Sequence, residues 1–223
     1  MTDTTADTLA GTLVRHEIEL APDTIAELDR YCHLLWEWNE RLNLTRHTDY
    51  EKFVTRDVVD SLALSRLLPP RERVLDVGTG GGVPGVILAI VRPDLKMSAC
   101  ESVGKRFLAL EAIVAELGAK TDVKIDVEHT RAEELLEATT YDTLVARAVA
   151  PLVKLLYWLE PHWGAFDQLL VIKGRSWVEE RREAREAGRF KGLELRRVAV
   201  YPTPGTDAEN VVLRIGPKTE EAL

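Results

Sequence analysis

Residues 74–85, which read VLDVGTGGGVPG, combine an apolar run, an acidic residue and a cluster of glycines. Glycines at Gly78, Gly80 and Gly82 permit positive φ angles and let a ligand approach the main chain without meeting a Cβ atom. Pro84 suits the first turn of a following helix, because its missing N–H would have no partner there. A strand that enters a helix through such a turn predicts a site for a nucleotide-like ligand.

Two ligands are consistent with this turn. Residues 80–85 match the dinucleotide fingerprint G-x-G-x-x-G, and Glu101 lies about 20 residues further on, where an acid that binds ribose is expected for NAD. Residues 76–82 also match the turn D-x-G-x-G-x-G that S-adenosylmethionine-dependent methyltransferases use after their first strand. Asp76 could hold the turn or bind the cationic amino-acid end of such a cofactor, whereas it would repel a pyrophosphate. We therefore favour S-adenosylmethionine over NAD.

Several of the apolar runs that follow are each succeeded directly by a polar side chain. Glu101 can accept hydrogen bonds from both hydroxyls of a ribose, although a surface acid is the alternative. Ala132 and Glu133 can read an adenine edge, although Glu133 also suits the positive end of a helix. Arg147 and Lys173 each follow an apolar run and are candidates for contact with a ligand, a phosphate or a target base. For Arg147 the alternative is a structural ion pair.

The elements that must position these residues alternate between strand and helix. Strands are predicted at residues 73–77, 96–101, 123–128, 142–147 and 168–173, and helices at about 84–91, 104–117, 151–160 and 176–188. Residues 195–200 and 211–215 predict a terminal antiparallel pair. This order predicts an α/β fold with a doubly wound, mostly parallel seven-stranded sheet, the Rossmann-like class I methyltransferase architecture, with its ligands at the carboxyl ends of the strands.

Helices are also predicted before the sheet. Apolar residues at helical spacing predict a helix that opens at Pro22 and a second one from about Tyr50 to Leu68, where two prolines end it. We therefore expect an N-terminal helical cap over residues 1–70 and a methyltransferase domain over residues 71–223.

Composition excludes several classes of protein. A net charge of −8, from 29 Lys and Arg against 37 Asp and Glu, argues against a protein that coats nucleic acid without specificity. Two cysteines without a CxxC motif and five histidines without ligand spacing indicate neither a disulfide framework nor a metal site. The chain contains no long apolar run, and residues 1–7 are polar, which predicts disorder there and no signal peptide. We expect a soluble, cytoplasmic protein.

The motifs, taken in order, resemble those of the GidB/RsmG family of small-subunit ribosomal RNA guanine-N7 methyltransferases. The resemblance covers roughly residues 34–215. The similar segments are residues 38–39 (WN), 41–45 (RLNLT), 60–62 (DSL), 74–85, 90–93 (IVRP), 101–106 (ESVGKR), 131–133 (RAE), 146–152 (ARAVAPL) and 173–174 (KG). Members usually have a histidine where Asp57 stands, so we assign no catalytic role to that position.

The resemblance implies sites for both a cofactor and RNA. The residues that match cofactor-binding positions of the family are Gly78, Val83, Ala132, Glu133 and Arg147, to which the residues themselves add Asp76, Gly80 and Glu101. The candidates for RNA binding are Asn43, Lys105, Arg106, Arg147 and Lys173. The implied partner is small-subunit (16S) ribosomal RNA in a ribosomal particle or assembly intermediate, and we expect a monomer.

The implied reaction explains why no nucleophile or general base stands out. Guanine N7 already carries a lone pair, so alignment and the local electric field can suffice. Catalytic residues remain unassigned, with Arg147 and Lys173 as candidates. Three alternatives stay open: an NAD-dependent oxidoreductase, which lacks a Tyr-x-x-x-Lys pair here, a methyltransferase for small molecules, and a non-enzymatic RNA-binding factor.

Overall fold

A computed structural model of the protein describes residues 8–218. The disorder predicted for residues 1–7 lies outside the described residues. The helices are α1 (Leu9–Arg15), α2 (Pro22–Asn39), α3 (Tyr50–Lys52), a π-helical segment (Phe53–Val58), α4 (Val59–Ser65), α5 (Gly85–Val91), α6 (Gly104–Gly118), α7 (Ala132–Ala138), α8 (Leu152–Leu159), a 3₁₀ turn (Glu160–His162) and α9 (Trp177–Glu186). The strands are β1 (Arg73–Val77), β2 (Lys96–Cys100), β3 (Ile125–Glu128), β4 (Tyr141–Arg147), β5 (Phe166–Lys173), β6 (Leu193–Pro202) and β7 (Glu209–Pro217).

The seven strands form one sheet in the order β3-β2-β1-β4-β5-β7-β6. Strands β1 to β5 are parallel, and β7 runs antiparallel between β5 and β6. The predicted doubly wound fold is confirmed. Because the chain leaves β1 in one direction to β2 and later returns to its other side with β4, the carboxyl end of β1 lies at a topological switch point, where such sheets bind ligands.

Each face of the sheet is covered by helices. On one face, Tyr31, Phe53, Val86 and Leu110 belong to a single apolar cluster, so α2 and the π-helical segment share a core with α5 and α6. On the other face, a second cluster is formed mainly by α8 and the sheet. No helix within residues 8–218 is long and apolar enough to cross a bilayer.

The N-terminal helices differ from the prediction in two respects. The sequence pattern does not predict α1, in which Leu9 and Leu13 are buried. The helix predicted from Tyr50 to Leu68 runs without a break from Tyr50 but ends at Ser65, and six of its residues are π-helical instead of α-helical. The wider turn is compatible with the burial of two acids three residues apart, Asp57 and Asp60, beside one partner from the sheet. The boundary at residue 70 stays a prediction, since both parts share a core.

Candidate active site

The glycine turn after β1 has the backbone that its sequence predicts. Gly78, Gly80 and Gly82 have φ angles of +64°, +61° and +104°. A Cβ atom on Gly82 would lie 2.6 Å from Cγ2 of Val86, so packing requires glycine there. A Cβ on Gly80 would meet no atom within 4 Å. The main chain at Gly80 is therefore open to a ligand on the cavity side.

The side chain of Asp76 supports this turn through a hydrogen bond. The side chain is fully buried, and its Oδ2 accepts a hydrogen bond from the Gly85 N–H at 2.8 Å. Within residues 8–218, its Oδ1 has no hydrogen-bond partner. Burial raises the pKa of Asp76 to about 7, against the hydrogen bond from the Gly85 N–H, which lowers it. Of the two roles expected for Asp76, the geometry supports the holding of the turn, and its contact with a cofactor stays a prediction.

A first cavity, of about 310 Å³, lies at the carboxyl ends of β1, β2 and β4. Its lining includes Gly78, Glu101, Ala132 and Glu133. Glu101 is 4 % exposed and accepts hydrogen bonds from the N–H groups of Gly80 at 3.1 Å and Val103 at 2.7 Å. A carboxylate held in this way at the end of β2 is suited to a ribose, as the sequence predicts.

A second cavity, of about 370 Å³, adjoins the first and shares Gly78, Arg106 and Ala148 with it. One wall is formed by residues 44–47 of the loop after α2. Asn39 closes this loop, because its Oδ1 accepts hydrogen bonds from the N–H groups of residues 44 and 45 at 2.8 and 2.9 Å. The N-terminal helices and their loop therefore help to shape the site.

Arg147 ends β4 at the second cavity and is bound by two buried acids. Its Nη1 lies 2.7 Å from Asp57 Oδ1, and its Nε lies 2.8 Å from Asp60 Oδ2. Asp60 Oδ1 also accepts hydrogen bonds from Tyr201 at 2.7 Å and Asn210 at 3.1 Å. Burial lowers the pKa of Arg147, but the charges of Asp57 and Asp60 outweigh burial and raise it above its ordinary value. The side chain is both an ion-paired structural element and part of the cavity wall.

The other residues predicted to bind RNA do not all line the cavities. Arg106 lines both cavities. Lys173 is largely buried elsewhere: its Nζ donates to Glu180 Oε2 at 2.6 Å and to the Ala150 carbonyl at 2.8 Å. Lys105 and Asn43 are exposed and do not line either cavity. The structure thus brings Arg106 and Arg147 together and leaves the other three candidates apart from them.

Two residues without a predicted role also line the second cavity, His47 and Asp57. Asp57 is 1 % exposed and accepts a hydrogen bond from His47 Nδ1 at 2.8 Å. A sequence signal for Asp57 exists, because it interrupts a buried helical stretch that contains Phe53, Val54 and Val58. Acids in such a position need a buried partner. His47 lies in a loop, and no local pattern singles it out.

The sheet order, the reversed β7 and the glycine turn at the switch point define the fold of the class I methyltransferases. Solved structures support this class. An S-adenosylmethionine-dependent O-methyltransferase of Thermotoga maritima superposes with a TM-score of 0.53 at 16 % identity, over 84 % of this chain and 73 % of that one. TrmK of M. capricolum, solved with S-adenosylhomocysteine, gives 0.53 at 13 % identity, over 72 % and 68 %. At such identities the likeness concerns the fold alone.

Sequence comparison supplies the family. The profile of the GidB family, described as rRNA small subunit methyltransferase G, matches residues 24–207. The ribosomal RNA small subunit methyltransferase G of Rhodopirellula baltica is 47 % identical over 205 residues, which are 92 % of this chain and 87 % of that protein. The protein of that name from Desulfitobacterium hafniense is 34 % identical, over 95 % of this chain and 89 % of its own length. The chain belongs to the GidB family, which confirms the resemblance and favours the methyl donor over NAD.

Proposed function

We propose that this protein transfers a methyl group from S-adenosylmethionine to N7 of a guanine in small-subunit (16S) ribosomal RNA. The observation that carries the proposal is the pair of adjoining cavities at the carboxyl end of β1, in a chain of the GidB family. One cavity suits an adenosine, and the other has room for the methionine end and an acceptor base. When bound, S-adenosylmethionine supplies the methyl group, whose bond to sulfur breaks as its bond to N7 forms.

The residues present fit this cofactor. The open main chain at Gly80 and the positive φ of Gly78 provide a close approach. The carboxylate of Glu101 would hold the ribose, and Ala132 and Glu133 would hold the adenine. The remaining cofactor contacts, from Val83 and Arg147, lie in the second cavity. The unpaired Oδ1 of Asp76 leaves a buried acceptor at the turn, and a cationic ligand nearby would favour the charged form of this carboxyl group.

The chain's own contribution to the reaction is alignment and electrostatics. Guanine N7 needs no deprotonation, and the positive charge moves from sulfur to the base during transfer. Asp57 and Asp60 carry two negative charges against the single positive charge of Arg147. Of these two acids, Asp57 lines the second cavity, where its carboxylate would stabilise a base that becomes cationic. Arg147 is, in this account, a residue that positions the two acids and borders the base.

RNA would reach the site over a basic rim. Three exposed arginines line the two cavities. Arg106 lines both cavities, Arg131 lines the first and Arg46 lines the second. Guanidinium groups at such a rim can bind phosphates. Because the protein as a whole is acidic, with a net charge of −8, it has little surface for naked RNA. The substrate in this proposal is a small ribosomal subunit or its assembly intermediate, in the cytoplasm, and the enzyme acts as a monomer.

Two measurements test the proposal. Calorimetric titration with S-adenosylmethionine, S-adenosylhomocysteine and NAD should show binding of the first two ligands only. Methyl transfer should then be measured with small ribosomal subunits that lack 7-methylguanosine, in parallel with protein-free 16S RNA. Incorporation at a guanine N7 in the particle supports the proposal. Equal rates on free RNA would contradict the role of the particle, and transfer to neither substrate would contradict the function.

A further inference from the structure

His47 and Asp57 form a hydrogen-bonded pair in the wall of the second cavity. Asp57 Oδ1 accepts from His47 Nδ1 at 2.8 Å and from Arg147 Nη1 at 2.7 Å. The other oxygen of Asp57, Oδ2, is buried and has no hydrogen-bond partner within the described residues. A carboxylate at Nδ1 selects the imidazole tautomer that carries its proton there. The second nitrogen, Nε2, then has a lone pair.

The rest of His47 is held in place. Trp36 Nε1 donates to the His47 carbonyl at 2.7 Å, and the His47 N–H donates to Thr45 Oγ1 at 3.0 Å. The side chain is 25 % exposed and lines the cavity. No hydrogen bond to Nε2 is found in residues 8–218. A ring that is fixed at its main chain and at one nitrogen, with its second nitrogen open, is preorganised to bind a ligand.

The charged groups near His47 come from several elements. Arg46 and Asp49 lie in its own loop, and Arg106 of α6 lines the same cavity. Asp57 contacts the ring directly, and Arg147 is bound to the same oxygen of Asp57. The arginines keep their charge at all physiological pH values.

We propose that His47, positioned by Asp57, binds the target guanine by accepting a hydrogen bond from its N1–H at Nε2. The inference rests on the proposed function and names a residue that determines specificity within it. Guanine carries a proton on N1, whereas adenine has a lone pair there, so this acceptor selects guanine. As N7 takes the methyl group, positive charge spreads over the ring and strengthens the N1–H as a donor. The contact is therefore stronger in the transition state than in the bound substrate.

Two substitutions of the same residue separate this role from a structural one. In His47→Asn, the amide nitrogen takes the position of Nδ1, so the hydrogen bond to Asp57 is kept and the group at Nε2 is lost. In His47→Gln, the amide oxygen reaches the position of Nε2, and the hydrogen bond to Asp57 is lost. The readouts are kcat and KM for methyl transfer to small ribosomal subunits, the affinity for S-adenosylhomocysteine, and Tm.

The Asn variant should fold and bind S-adenosylhomocysteine as the wild type does, with kcat/KM for the particle about 10- to 100-fold lower. The Gln variant should be the more active of the two. An Asn variant as active as the wild type, or more active than the Gln variant, overturns the inference. Because the wild type is assayed in parallel, its inactivity on every particle would instead show that the proposed function has failed, and the inference would be overturned with it.

Discussion

The hydroxyl group of Tyr31 donates a hydrogen bond to the carbonyl oxygen of Gly81 at 2.9 Å, and both residues are buried. The contact joins α2 to the glycine turn after β1. Leu35, one helical turn further along α2, also packs there, since a Cβ on Gly81 would lie 2.7 Å from its Cδ1. The N-terminal helices therefore support the turn that the proposed cofactor would contact.

Tyr31→Phe should lower the free energy of unfolding by about 1–3 kcal/mol, because it leaves the buried carbonyl of Gly81 without its partner. Affinity for S-adenosylhomocysteine should fall severalfold as the turn loosens. Urea denaturation and calorimetry measure the two effects. The exposed Tyr157 provides the matched control, since Tyr157→Phe removes the same group from the surface. Equal effects of the two substitutions would contradict this account.

Gly82→Ala and Gly80→Ala should separate packing from ligand access. Alanine at residue 82 combines a positive φ with a Cβ clash against Val86, so it should cost at least about 2 kcal/mol of stability. Alanine at residue 80 meets no neighbour and should cost only about 1 kcal/mol of backbone strain. Its Cβ would, however, occupy open space at the cavity. We expect the larger loss of Tm at residue 82 and, among folded variants, weaker S-adenosylhomocysteine binding at residue 80.

Glu101→Gln should weaken S-adenosylhomocysteine binding by about 10- to 100-fold, because charged acceptors contribute more than neutral ones to hydrogen bonds with hydroxyl groups. Calorimetry measures this directly. Glu116→Gln is the control, since Glu116 is a half-exposed acid of α6 that pairs with Lys120. Unchanged affinity in the Glu101 variant would show that this carboxylate does not contact the ligand.

Asp76 should give stability a specific dependence on pH. Its pKa is about 7 in the folded protein and about 3.9 in the unfolded chain, so between these values the folded state holds a proton that the unfolded state has lost. Its contribution to stability is therefore complete below about pH 4, falls as the pH rises, and is lost above about pH 7. Asp76→Asn removes this dependence.

Urea unfolding of the wild type and the Asp76→Asn variant at pH 5 and pH 8 tests the sign. Relative to the wild type, the variant should gain stability on the order of 2 kcal/mol from pH 5 to pH 8. The other titrating groups are the same in both proteins, so their contributions to the free energy of unfolding cancel in the difference. A difference between them that stays constant over this range would mean that Asp76 titrates alike in the folded and unfolded states.

The strands and the glycine turn could be predicted because their signals are local. Strand β1 has its predicted bounds, and α6 differs from its prediction by one residue at its end. The hairpin strands β6 and β7 are longer than predicted, since their solvent-facing ends lack a clear apolar pattern. Helix α1 was missed because only a few of its residues face the core.

The partners of the charged side chains could not be predicted in this way. Arg147 and Lys173 look alike in the sequence, since each ends a buried strand, yet Arg147 meets two acids at the cavity and Lys173 meets Glu180 of α9. Asp60 and its partner Tyr201 are 141 residues apart. No local pattern encodes such a pair.

The sequence by itself therefore determined the α/β class, the order of the strands along the chain and the position of the glycine turn, because hydrophobic period and glycine conformation act over a few neighbouring residues. Only the tertiary structure decided that His47 and Asp57 border the second cavity, that Arg147 is an ion-paired wall residue, and that α2 supports the turn. These features depend on which distant side chains the closed core brings within hydrogen-bonding distance, and on the need of every buried charge for a partner.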